Sequence, residues 1–336
     1  MNFLTSFKGF LLCVILVSII LNSCDKEIEV DLGSSQEQLV VEGSIQQEYP
    51  AYVFLTLSEN YFNQVDINTL DNISVNDAEV YIERNDGVIH KLTHINSIDT
   101  LMILDSLMLP IKGLYIDVNY QQDQFSQAGY QYKLYIYWKG DTITSTTSIP
   151  PQYPIDSVWV ERKDIVEDQY KCYIWARLND PDTIHNSILV HYKRDIGWKP
   201  MDPLFIPTAI SVRSDNLLNG ESHTVSFARS GRFDEEDGVL LPFYADREVD
   251  GNFVRKDIVM LRISHMDYDS FKFWRSVERN QSTNGNPFSE PMNLYSNVKG
   301  GLGIWGGYGV SYFYIPIVED TVIYETYNDV DVLEIF

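Results

Sequence analysis

The chain has 336 residues, with 25 Lys and Arg against 48 Asp and Glu and a formal net charge of −23. Such an acidic surface repels phosphate backbones and anionic bilayers, which excludes nucleic-acid binding and broad electrostatic adhesion to membranes. The length exceeds a typical domain of roughly 100–200 residues and predicts two, each with its own core.

Residues 1–23 read as a lipoprotein signal peptide. Lys8 gives a basic start, Phe10 to Leu21 an apolar stretch, and Leu21-Asn22-Ser23-Cys24 a run of small residues leading to a cysteine. The apolar stretch is about a dozen residues, short of the roughly 20 that span a bilayer as a helix. Cys24 is therefore the predicted lipidation site, an acylated N-terminus that anchors the chain to a lipid bilayer. Residues 24–36 form the acylated terminus and a flexible acidic tether, too polar to build a core element. Cys13 lies in the signal and Cys24 is consumed by lipid, so Cys172 is the thiol that remains and no intramolecular disulfide forms.

Residues 37–149 predict an immunoglobulin-like or fibronectin-like β-sandwich. Ala78–Glu83 alternates apolar and polar, and Asn85-Asp86-Gly87 supplies a turn. Tyr130–Trp138 alternates over its whole length, with Tyr132, Leu134, Ile136 and Trp138 inward. The paired cysteines of true immunoglobulin domains are missing, so the architecture rests on patterning. Ile149-Pro150-Pro151-Gln152-Tyr153-Pro154 reads as the domain boundary, because prolines cannot donate to a ladder.

Residues 150–336 predict a second β-rich domain with one short helix and a glycine-rich loop. Strands are expected at Asp156–Arg162, Gln169–Leu178, Ser187–Tyr192, Glu221–Ala228, Asp257–Ser264 and Val310–Ile315. Alternation puts Cys172 on one face with Ile174, Ala176 and Leu178, which reads as a buried, inert thiol. Asp267 can cap a helix from Tyr268 to Asn280, with Tyr268, Phe271, Trp274 and Val277 on one face.

No motif nominates a catalytic, cofactor or metal site. Gly301, Gly303 and Gly306 spell a formal G-x-G-x-x-G, but no βαβ unit surrounds them, and a loop passing close under aromatic neighbours is the better reading. His90 and His94 would stand roughly 13 Å apart on a strand, too far to share one ion. Asp234-Glu235-Glu236-Asp237-Gly238 is the densest acidic cluster and reads as a solvated loop.

Several blocks together carry a resemblance. They are Leu39–Ile45, Val75–Val80, Asn179-Asp180-Pro181, Ser214–Gly220, Asn286–Pro291, and Tyr295–Gly307 with its closing glycine run. With the signal they resemble the exported lipoproteins catalogued as domain of unknown function 4249, in which a Phe more often stands at the Trp305 position. The resemblance implies a Gram-negative envelope lipoprotein whose neighbours include TonB-dependent outer-membrane receptors, and it brings no catalytic residues. The expected function is that of a lipid-anchored outer-membrane or cell-surface lipoprotein, with the cell-surface face favoured. It would act as a binding or accessory module for a TonB-dependent transporter or its ligand. An envelope glycan hydrolase with a carboxylate pair, or an adhesive surface protein, stands as the alternative.

Overall fold

A computed structural model of the protein describes residues 37–58, 73–95, 112–152, 155–166, 169–179, 187–195, 205–214, 221–229, 243–245, 248–249, 252–253, 257–283, 293–317 and 322–323. The predicted signal, Cys24, the tether and the acidic cluster at 234–238 lie outside the described residues.

The first sandwich follows the alternation seen in the sequence. Its strands are β1 (Leu39–Gln46), β2 (Tyr52–Leu57), β3 (Glu79–Arg84), β4 (Ile89–Lys91), β5 (Thr93–His94), β6 (Leu114–Ile116), β7 (Gln131–Trp138) and β8 (Asp141–Ser148). One layer is ordered β4-β3-β7-β8 and the other contains β1-β2-β6-β5. This is the strand division of an immunoglobulin-like sandwich. Tyr132, Leu134 and Ile136 of β7 are fully buried as expected, while Trp138 stays partly exposed and donates its indole N–H to Asp77 Oδ1 at 2.8 Å. Tyr132 forms a tyrosine corner. Its hydroxyl lies 2.8 Å from the carbonyls of both Phe125 and Gln127 and accepts the Gln127 N–H at 2.7 Å.

The later strands are β9 (Ile155–Val166), β10 (Gln169–Asn179), β11 (Ser187–Asp195), β12 (Ile206–Ser214), β13 (Ser222–Phe227), β14 (Phe243–Ala245), β15 (Glu248–Val249), β16 (Asn252–Phe253), β17 (Ile258–Met266), β18 (Leu302–Pro316) and β19 (Val322–Ile323). Helix α1 (Tyr268–Thr283) lies between β17 and β18. A layer ordered β13-β10-β9-β19, with β14 also on β10, encloses a second core against β11, β17 and β18. Cys172, Ile174 and Ala176 of β10 point into that core, and Cys172 is buried and forms no disulfide. The described structure is thus mainly β with a single α-helix among the described residues.

One sheet backs both cores. Its order is β12-β11-β17-β18-β1-β2-β6-β5. β18 joins the halves: Leu302–Tyr308 runs parallel to Val40–Gln46, and Tyr308–Pro316 runs antiparallel to β17. Among the described strand pairs, β1–β18 is the parallel one. The first sandwich is therefore completed by residues from far beyond 149. Asn297 and Lys299 lie along β8, where Thr144 and Lys299 exchange backbone hydrogen bonds of 3.1 and 2.8 Å. Trp305 then enters the first core, fully buried, and donates its indole N–H to Tyr132 O at 3.1 Å.

The expected glycine-rich loop is a strand, and this corrects the sequence reading. Its glycines serve close backbone approach. A side chain at Gly303 would meet the Val41 carbonyl, and one at Gly307 would meet the Ser148 carbonyl where the proline-rich connector crosses β18. The connector is fixed there by Gln152, whose Nε2 donates to Val310 O at 2.5 Å.

Helix α1 lies across the other face of the shared sheet. Asp267 caps it as predicted, with Oδ1 accepting the Ser270 N–H at 2.9 Å. Its Oδ2 reaches back to Thr147 Oγ1 at 2.7 Å and Ser148 N at 3.2 Å, fastening the helix start to β8. Phe271 and Trp274 pack on the sheet, whereas Tyr268 is 64% exposed and leaves the predicted apolar face.

Two histidines on the strands beneath α1 predict an acid response. Burial pushes His265 down to about 4, and burial followed by the nearby Arg262 charge pushes His191 down to about 3, from an ordinary 6.5. Both stay neutral in the folded protein while the unfolded chain takes up protons below about pH 6.5, so stability is complete above that pH and falls toward pH 4 and 3. Between pH 7.5 and 5 each histidine is expected to remove about 2 kcal/mol, read as a lowered urea midpoint. His265→Asn should flatten that slope, and an unchanged slope would refute the assignment.

Candidate functional site

A cavity of about 610 Å³ lies between α1, the outer side of the shared sheet, and the segment before β18. β1 contributes Val40 and Glu42, its outward positions, and β18 contributes Leu302 and Gly303. Phe273, Trp274 and Val277 of α1 form the facing wall, and Asn293–Ser296 closes one end.

The walls are held from several sides. Trp274 donates its indole N–H to the buried Tyr308 hydroxyl at 2.8 Å. Glu278 Oε1 accepts the Ser211 and Val212 N–H groups at 3.0 and 3.4 Å, tying the far end of α1 to β12. Tyr295 is fixed to the helix by its hydroxyl on Asp269 at 2.6 Å and its N–H on Ser276 Oγ at 3.0 Å. Lys272 completes this clasp, 2.7 Å from Asp269 and 2.8 Å from the Tyr295 hydroxyl. Those hydrogen bonds, the one to Asp269 foremost, raise the Lys272 ammonium well above its ordinary range.

Glu42 is the carboxylate among the described lining residues. Its side chain is solvent-exposed and borders the cleft, and the protein bulk around it raises its carboxyl above the usual range. A carboxylate beside apolar walls offers an acceptor to a ligand that presents a hydrogen-bond donor or a cation, because charge-assisted hydrogen bonds are the stronger ones. The apolar remainder suits a hydrocarbon or aromatic body.

The residues weighed in the sequence fall elsewhere. His90 and His94 do not converge: His90 Nδ1 pairs with Asp117 Oδ2 at 2.7 Å inside the first sandwich, and His94 Nε2 meets Asn76 Oδ1 at 3.0 Å. Gly301, Gly303 and Gly306 lead into and form β18, and among the described residues no helix follows them to receive a phosphate. No group of three or more His, Cys, Asp or Glu gathers to hold a metal among the described residues. No described helix is long and apolar enough to cross a membrane. In the sequence Glu42 falls inside the block Leu39–Ile45 and belongs to no motif. The available signal was a lone charge inside the apolar run Leu39-Val40-Val41-Glu42.

A family profile described as Domain of unknown function (DUF4249) matches residues 25–312. No curated protein matches the chain.

Proposed function

The chain belongs to the DUF4249 family, and from that premise we propose that it is a lipid-anchored envelope lipoprotein that binds a ligand in the α1 cleft on behalf of a TonB-dependent outer-membrane transporter. The observation that carries the binding reading is the held, apolar cleft with Glu42 standing in it. Its ligand class is an apolar body bearing an amine or hydroxyl. Anchoring rests on the signal ahead of Cys24, and the acidic residues Asp25, Glu27 and Glu29 favour the cell-surface face. A glycan hydrolase would require a second carboxylate roughly 5–10 Å from the first, and the described lining residues supply Glu42 alone.

The test is affinity purification from detergent-solubilised outer membranes. The wild-type protein is expected to bring down a TonB-dependent receptor, and Cys24→Ala to leave the membrane fraction. Val277→Trp fills the cleft without touching Cys24, and it is expected to remain anchored while recovering less receptor. Wild-type eluates without a receptor would sink the proposal.

A further inference from the structure

The polar end of a ligand in the α1 cleft meets charge of one sign. Glu42 borders the cleft from an outward position of β1 and is solvent-exposed. None of the described lining residues is Lys, Arg or His. Lys272 stands beside the closing segment, but Asp269 holds its ammonium at 2.7 Å and offsets that charge locally. The Glu42 carboxyl is shifted by the protein bulk around it and not by a neighbouring cation.

The neutral polar groups of the closing segment are largely engaged already. The Tyr295 hydroxyl lies 2.6 Å from Asp269 and 2.8 Å from Lys272, and Ser296 Oγ accepts the Val298 N–H at 3.2 Å. Asn293 remains exposed, and its amide offers a donor and an acceptor alike, so it does not sort ligands by charge. That sorting falls to Glu42.

Its exposure decides among the polar groups a ligand could bring. Water satisfies an exposed carboxylate before any ligand arrives. A ligand hydroxyl would replace one hydrogen bond with another and gain little. An ammonium adds charge attraction to the hydrogen bond. A ligand carboxylate is repelled by Glu42 and by the field of a chain with net charge −23. The aromatic wall points the same way. Phe273 and Trp274 meet at 83° with ring centroids 5.3 Å apart, and Tyr308 fixes the Trp274 indole. The faces of such rings attract cations.

Resting on the reading of this cleft as a ligand site, we infer that its ligand is an organic cation, a hydrocarbon or aromatic body bearing a protonated amine. Glu42 is the residue that selects it over the matching alcohol or acid.

The test is isothermal titration of the full chain carrying Cys24→Ala with octylammonium, octanol and octanoate at about pH 7.5. The three share one hydrocarbon chain and differ in the polar end. Octylammonium is expected to bind about threefold tighter than octanol and about tenfold tighter than octanoate. Glu42→Gln keeps the size of the side chain and should bring the three within about twofold, with octanol unchanged. Val277→Trp fills the cleft and should weaken all three, which ties the binding to this place. A preference that survives Glu42→Gln would come from overall charge and would overturn the inference. Octanol or octanoate binding the parent chain as tightly as octylammonium would overturn it too, while leaving the cleft as a site for apolar ligands. No binding of any of the three at about 2 mM would bring down the cleft reading and the inference together.

Discussion

Trp305→Ala is expected to destabilise the protein by about 3–5 kcal/mol, the range for deleting a buried tryptophan from a packed core. Trp305 is fully buried, and its removal would empty the centre of the first sandwich. The indole N–H bond to Tyr132 O would go with it. Asn297 holds the Trp305 backbone through two hydrogen bonds, at 2.8 and 3.0 Å, so the strand cannot easily collapse into the space. Urea unfolding followed by far-UV circular dichroism reads the loss. Trp305→Phe keeps most of the volume and should lose about 1–2 kcal/mol. A loss below about 1 kcal/mol for the alanine variant would show that the core does not depend on this residue.

Gly303→Ala is expected to be still more damaging, at about 4 kcal/mol or more. Two separate effects meet there. Gly303 has φ of 106°, which a side chain rarely tolerates, and its added carbon would fall on the Val41 carbonyl of the paired strand. Gly87→Ala separates the two effects, because Gly87 has φ of 93° with open space around it. That control should lose about 1 kcal/mol, close to the backbone penalty alone. Equal losses at the two positions would mean that strand approach contributes nothing to the junction.

How much of this was legible in the sequence depended on how local each cause was. Alternation in Tyr130–Trp138 and Gln169–Leu178 reports a face directly, and both segments are strands whose expected faces are buried except at their ends, where Trp138 and Leu178 stay partly exposed. Asp267 is likewise a local signal, three residues from the N–H it caps. The strand at Ile206–Ser214 was missed, since Ile206-Pro207 opens it with a residue that reads as a breaker. The six glycines of Gly300–Gly309 read as a loop passing close under aromatic neighbours, and the close approach is there but the loop is not. The extended state of that segment comes from β1 on one side and β17 on the other, neither of which is near in sequence. The cleft was hidden for the same reason. Val40 and Glu42 meet Trp274 and Leu302 through tertiary packing, and no spacing in the chain announces it.

The parallel pairing of β1 with β18 also sets an order of events during synthesis. The first of the described strands, β1, pairs early with β2 but cannot gain β18 until Leu302–Tyr308 has been made. Until then β1 keeps an open edge, and the first core lacks Trp305. High contact order of this kind slows folding, because a long loop must close before the contacts reward it. A nascent chain built this way cannot close its first core until β18 has left the ribosome, however early the rest of that sandwich is made.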